Sequence, residues 1–470
     1  MDFEKNQRRQ NLKVIISEAF MVFAVILTVI ILAFIVSGYW LNSDFEVKRQ
    51  GLLQISSIPT GADIDIDGNS SWLQKTNTSK VLTSGEHTIT LSKEGYDTWT
   101  KTVDIKEGLL YRVHYPRLFL KNRTSEKALS ATGVTYATVS PDHSSLLLIN
   151  GTTEWLYVNL NEEKITPKKL DISSVFSDVS IASGAKTGLF TGEIVDVDWD
   201  TNGSRALFKT KSENGVEWVL LNPKDIKSSI NLTREFGTNF IDLKIFDNDA
   251  NTLLAVLNNN LHRLDVSGRS VSAVIVENVI DYDYYNNELF FSASKNVPGE
   301  ELTYYYLGSL KLGDKIEELA ETTTPAKVAI TKFYEEKYLL TLENSTLKVY
   351  QKDGFAPLFE FNLSFSPANL KVGHEGEFIV LYSGSQIATL DMETMLVGEW
   401  TAEGEGFGWL DNDMIYTVNG GELIVYDFDG LNRRDIAKNV SNQFPVMITN
   451  NRYLYYFSDG NLIREWLIPR

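Results

Sequence analysis

From Ala131 onward one unit recurs along the chain, and no other feature constrains its folding as much. Each copy has a strand-like run, a polar turn, an apolar run, a short gap and a second apolar run often rich in tyrosine. The first is TYATVSPDHSSLLLINGTTEWLYVNL (Thr135 to Leu160) and the second IVDVDWDTNGSRALFKTKSENGVEWVLLNP (Ile194 to Pro223). LKIFDNDANTLLAVLNNNLHRLDV (Leu243 to Val266) follows, then IDYDYYNNELFFSAS (Ile280 to Ser294) with YYYLGSL (Tyr304 to Leu310). Four more begin at Ile330, Leu370, Gly406 and Val446. Copies are spaced by roughly 40–60 residues, the range of repeat architectures.

A unit of this size holds about four short strands and cannot bury both sheet faces alone. Arranged around an axis, each unit covers its neighbours and only the outer edges remain. The period therefore predicts a β-propeller over 131–470. Eight blades follow if each copy is one blade. Seven follow if the last copy closes the ring with strands from the start of the domain.

Upstream, Ala19 to Ser37 reads AFMVFAVILTVIILAFIVS, without charge or proline. An apolar run of about 20 residues is long enough to cross a bilayer as a helix. Lys5, Arg8, Arg9 and Lys13 precede it, and only Lys48 and Arg49 follow closely. The positive-inside rule then predicts a cytoplasmic tail (1–13), a transmembrane helix (14–40) and everything after Trp40 outside the cell. A cleaved signal peptide is the competing reading. The run is long for a signal core and no A-x-A-like site follows it, although Val36-Ser37-Gly38 offers small residues for cleavage.

Between Gly51 and Phe119 short alternating runs (LLQIS, IDID, HTITLS, TWTKTVDI) are separated by turn signals at Pro59-Thr60-Gly61, Asp67-Gly68, Ser84-Gly85 and Glu94-Gly95. About 70 residues of this kind make a small antiparallel sandwich. Within it, DIDIDG (Asp63 to Gly68) has the head of a calcium loop. The twelfth position of such a loop would be Gln74 rather than a bidentate Glu, and Ile64 and Ile66 alternate with the acids. A half-buried strand with an isoleucine face inward fits better. DVDWDTNG (Asp196 to Gly203) repeats the ambiguity. Asp196, Asp198, Asp200 and Asn202 are the calcium candidates there, with Lys209 where the closing carboxylate belongs. A strand and turn is the expectation, and a looser calcium loop with ligands from elsewhere stays open.

The 51–119 stretch resembles the PEGA domain. The residues that carry the likeness are Pro59-Thr60-Gly61-Ala62, Asp67-Gly68, His87-Thr88-Ile89, and Lys93 to Tyr96 with Trp99. The usual Thr-Pro after the Asp-Gly turn is replaced by SWLQKTNTS, read as a loop. The resemblance implies a bacterial or archaeal envelope, and gives His87 a structural place on its strand. In the repeats, Ser140-Pro141-Asp142-His143-Ser144 and LIVYDFDGLNRR (Leu423 to Arg434) resemble turns of TolB-type propellers, with His143 where glycine is usual.

Little chemistry is legible. The chain has no cysteine, which removes disulfides and thiolate sites. Its five histidines show no metal-ligand spacing, and no nucleophile elbow is present. His143 and His374 fall in blade turns, where solvated side chains are expected. A net charge of -18 argues against nucleic acid as a partner. Trp72 is a candidate either for stacking on a sugar or for packing against the neighbouring domain, burial being the plainer reading. N-x-[ST] sequons such as those at Asn150 and Asn231 arise readily in polar turns.

The expected protein is thus an all-β ectodomain, a PEGA-like β-sandwich and a seven- or eight-bladed β-propeller, behind one transmembrane helix. It needs no cofactor. Binding is its expected work, not catalysis: an interaction platform at the cell surface for an envelope protein or a cell-wall glycan. Two other classes stay open. One is an envelope-glycan enzyme, recognisable by acids gathered on the inner strands of several blades. The other is a sensor that signals through a membrane partner.

Overall fold

A computed structural model describes residues 18–30, 32, 39–41, 47–150, 154–177, 179–180, 189–213, 215–246, 249–296, 303–311, 315–351, 356–373 and 375–469. The chain divides into two compact units, Met1–Asn122 and Arg123–Arg470.

The alternating runs of the first unit become eight strands: β1 (Tyr39–Leu41), β2 (Val47–Ile55), β3 (Asp63–Ile66), β4 (Asn69–Lys75), β5 (Thr78–Thr83), β6 (Gly85–Ser92), β7 (Trp99–Ile105) and β8 (Leu110–Val113). They form two four-stranded sheets, one ordered β4-β3-β6-β7, the other β1-β2-β5 with β8 parallel on β2. Period-2 alternation sends Ile64, Ile66, Ile89, Leu91, Trp99 and Val103 inward from the first sheet, and Leu53, Ile55 and Val113 from the second. Each such buried side chain contributes about 1.5–3 kcal/mol. DIDIDG is therefore a strand and its turn. Asp67 and Gly68 take the left-handed conformation, with φ of 55° and 78°, that a two-residue hairpin needs. The segment read as a loop after it is strand β4, which pairs with β3 before the chain crosses to the other sheet.

The apolar N-terminal run is helical over 18–30; the expected tail (1–13) and residues 14–17, 31 and 33–38 of the expected span lie outside the described residues. Phe20, Met21 and Phe23 on this helix are more than 60% exposed. Among the described residues no helix is long and apolar enough to cross a membrane.

In the second unit the repeats become four-stranded antiparallel sheets in sequence order. They cover 136–170, 193–231, 242–271, 279–322, 327–362, 369–401 and 405–437, and are numbered blades 1 to 7. Blade 8 takes three strands from 447–466 and its fourth from Ser125–Ser130, upstream of the 131 start the repeats suggested. Among the described residues this unit has eight four-stranded sheets, so the count of eight fits and seven does not; the strand from the front closes the last blade without reducing the number. Consecutive blades share apolar cores. Leu147, Trp155 and Phe176 meet Phe208 and Val219 between blades 1 and 2, and Leu146 and Val158 meet Met447 and Tyr455 between blades 1 and 8. The last contact makes the array a ring. Ion pairs lock the closing strand: Arg123 meets Glu465 at 2.6 Å, and Arg464 donates to Glu126 at 3.0 Å.

Candidate functional site

The first strand of each blade faces the axis of the ring. Those of blades 2, 3, 4 and 6 line one cavity of about 730 Å³. Asp196 and Asp198 of blade 2 share this lining with Lys371 of blade 6. A second cavity of about 420 Å³ is lined from blades 1, 6, 7 and 8, by Asp142, His143, Trp409, Asp411 and Asn450 among others. Val372 borders both.

The acids of the first strands do two different jobs. In blade 4, Asp281 and Asp283 each accept one hydrogen bond from the next residue of their own strand. Each also accepts one from blade 5, from the N–H groups of Val328 and Ile330, all at 2.9 Å. Neighbouring blades are not joined by a strand ladder, so these carboxylates pair N–H groups that would otherwise lack a partner. In blade 3, Asp242 accepts from the Tyr282 hydroxyl at 2.9 Å. Lys244 donates to the Tyr282 carbonyl at 2.6 Å, with its ammonium 4.4 Å from the Tyr282 ring centroid.

Among the described residues Asp198 of blade 2 makes no such interblade bond; it lines the cavity. It reaches water there, yet is walled in by the surrounding blades. That desolvation pushes its carboxyl up to about 6; Lys244 pulls it down, Asp196 pushes it up, the Trp199 N–H pulls it down and Asp242 pushes it up. Asp283, deeper in the wall, is also raised by burial, against the pull of Lys244.

The four calcium candidates divide. Asp196 and Asp198 lie on the strand Glu193–Trp199 and enter the cavity. Asp200 is buried and closes the following turn, accepting from the N–H groups of Ser204 at 2.6 Å and Arg205 at 3.0 Å. Asn202 is exposed on that turn. The local segment is a strand and turn, with Asp200 already engaged by its own hairpin. Trp72 sits on β4, where its side chain lies outside the described residues.

The histidines correct one expectation. His143 is in its blade turn, at φ 54°, but is not simply solvated: its Nδ1 is 3.0 Å from the Ile448 carbonyl, joining blade 1 to blade 8. His374 lies outside the described residues. His87 has the structural place expected. Its Nδ1 is 2.6 Å from the Asp67 carboxylate and its Nε2 is 2.8 Å from the Thr83 carbonyl. Both partners are acceptors, so the doubly protonated ring satisfies both. Burial lowers the His87 pKa, and these hydrogen bonds more than reverse that, leaving it raised. The His87 bond, with one from the Thr88 N–H, holds Asp67 below its usual range.

Sequence reasoning missed Asp242, Lys244, Asp283, Tyr284 and Lys371 as neighbours of Asp198. For the first four the signal was present in DLK and IDYDYY, charged residues at alternate positions near the start of copies; Lys371 had none. Only the ring brings those starts to one axis.

These geometries define the class of the protein: a β-propeller joined in sequence to a small β-sandwich. Residues 50–117 match the PEGA domain. No curated protein matches the chain. Among solved structures it is similar to Hsv2 of Kluyveromyces lactis, with 9% identity, 63% of this chain and 92% of that one covered, and a TM-score of 0.41. It is also similar to apo AztD of Citrobacter koseri, with 10% identity, 80% and 94% covered, and a TM-score of 0.40. The Cps50 (Swd1) β-propeller domain of Myceliophteria thermophila has 11% identity, 75% and 99% covered, and a TM-score of 0.39.

Proposed function

We propose that this is a membrane-anchored envelope protein whose propeller binds a polar ligand, an envelope glycan, in its axial cavity. The observation that carries the reading is the cavity itself. Its 730 Å³ are lined by Asp196, Asp198, Thr201, Lys244, Tyr285, Asn286 and Lys371, from four blades. Acceptors, donors and aromatic rings together suit a hydroxyl-rich chain better than an apolar one. Anchoring is supported by the exposed Phe20, Met21 and Phe23, which water solvates poorly and lipid well.

A second reading has its own observation. Several acids do gather on inner strands, and Asp198, raised to about 6, has the protonation behaviour of a general acid. Binding is preferred because Asp242 and Asp283 are already engaged by protein donors.

The test is calorimetric titration of the full chain in detergent with purified wall polysaccharide, with product analysis of the polysaccharide afterwards. Saturable binding that Asp196→Asn with Asp198→Asn weakens about tenfold or more, the scale of losing a charged hydrogen bond, places the ligand in the cavity. Binding indifferent to both substitutions removes the cavity from the reading. Shortened polysaccharide, lost in Asp198→Asn, turns it into the enzyme.

A further inference from the structure

The two outer faces of the sandwich differ in chemistry. On β4-β3-β6-β7 the outward side chains include Asp63, Asp65, Glu86 and Asp104. Threonine pairs cross the same face, Thr88 with Thr102 at 3.0 Å and Thr90 with Thr100 at 3.2 Å. This is an ordinary solvated surface.

The other face is not. Register places Leu52 of β2 directly between Val81 of β5 and Leu110 of β8. They are 37%, 60% and 36% exposed, and Leu109 beside them is 60% exposed. Gln54, Ser79 and Arg112 extend the same rows. Among the described side chains on these outward rows there is no carboxylate, in a chain with 62 of them. Glu107 sits at the rim, in the turn before β8. A contiguous apolar stripe on an acidic protein marks a surface meant to be covered.

Chain continuity says what covers it. This sheet also contains β1, which pairs with β2 through Trp40 and Lys48. β1 begins two residues after the apolar run ends at Ser37, no more than about 7 Å of extended chain. The acid-free sheet is therefore the one tied to the end of the apolar segment.

We propose that this face lies on the lipid bilayer, with Leu52, Val81, Leu109 and Leu110 entering the boundary between headgroups and acyl chains and Arg112 meeting headgroup phosphate. It rests on the reading that the run from Ala19 is embedded in the membrane. The sandwich is then a membrane-seated foot, whose acidic opposite face is turned away from lipid.

The absence of cysteine makes the test direct. Single cysteines are introduced as Phe23→Cys, Val81→Cys and Thr100→Cys, each labelled with a fluorophore in the full chain. The chains are reconstituted in phosphatidylcholine–phosphatidylglycerol vesicles carrying nitroxide lipids. The expected result is lipid quenching at positions 23 and 81 and none at 100, with quenching at 81 lost and quenching at 23 kept when Leu52→Gln and Leu110→Gln are added. Quenching at 23 without quenching at 81 overturns the proposal while leaving the anchor standing. In that case, access of aqueous iodide to position 81 means an uncovered face, and protection from iodide means a protein cover such as a second copy. No quenching at 23 removes the anchor, and the proposal with it.

Discussion

Two strands of this protein carry nearly the same text and do different work. DIDIDG in the sandwich and DVDWDTNG in blade 2 both alternate aspartate with a β-branched or aromatic residue and both end in a turn closed by glycine. In the sandwich the leading aspartate faces bulk water. Asp63 is about half exposed, and its ion pair with Lys75 at 2.8 Å is a surface pair. In blade 2 the same spacing delivers Asp196 and Asp198 to an axis shared with Lys244, Asp242 and Lys371. The pattern decides which side chains share a face. What that face meets depends on strands far away in sequence.

The largest expected effect tests the sandwich half of the comparison. Ile64 is almost fully buried, and Ile64→Ala should cost about 2–5 kcal/mol of local stability. Val197, at the matching place in blade 2, is only half-buried, so Val197→Ala should cost less. Native-state hydrogen exchange in β3 and in Glu193–Trp199 measures each strand by itself. Equal losses would break the comparison.

Titration sharpens it further. Both His87 and Asp198 are raised, so each binds its proton more tightly in the folded state and each loses its stabilising contribution as pH rises. The windows differ. Asp198 loses its share between the unfolded carboxylate value, near 4, and about 6. His87 keeps its share up to its unfolded value near 6.5 and loses it above, through its raised folded value. Asp67, which is lowered, has the opposite sign: its share is present above about 4 and is lost as pH falls through its folded value. Exchange protection followed across pH should therefore fall in blade 2 first, then in the sandwich. Asp198→Asn should abolish only the first step and His87→Gln only the second. A single step common to both units would contradict these assignments.

The smallest effect belongs to the exposed member of the pair. Asp63→Asn should change stability by no more than about 0.5–1 kcal/mol, because a solvated ion pair gains little. Thermal denaturation at low and moderate salt checks this. A larger loss would mean that Asp63 is not in bulk water.

Much of the fold was legible because it depends on local periodicity. Ile64, Ile66, Ile89 and Leu91 could be placed inward from spacing alone, and the Asp67-Gly68 turn from its residue types. The β4 strand was not, because its text NSSWLQK has no alternation to mark it and is held by pairing with β3. The candidate site was half legible. Asp196 and Asp198 drew attention for a metal motif, but Asp200, third in that motif, is taken by its own turn. His143 looked like a turn residue in water, and the return of blade 8 beside blade 1 gave it the Ile448 carbonyl.

By itself, then, the sequence determined strands, turns, a repeat count and an apolar N-terminal run. Each follows from forces that act between residues a few positions apart: side-chain alternation, turn geometry and hydrophobicity. The tertiary structure alone decided that Ser125–Ser130 completes the last blade and that acids from blades 2, 3 and 4 share one axis. It also decided that Leu52, Val81 and Leu110 form one exposed row. Those are contacts between segments tens to hundreds of residues apart, and the environment they create sets whether an aspartate is a solvated surface group or a carboxyl raised to about 6.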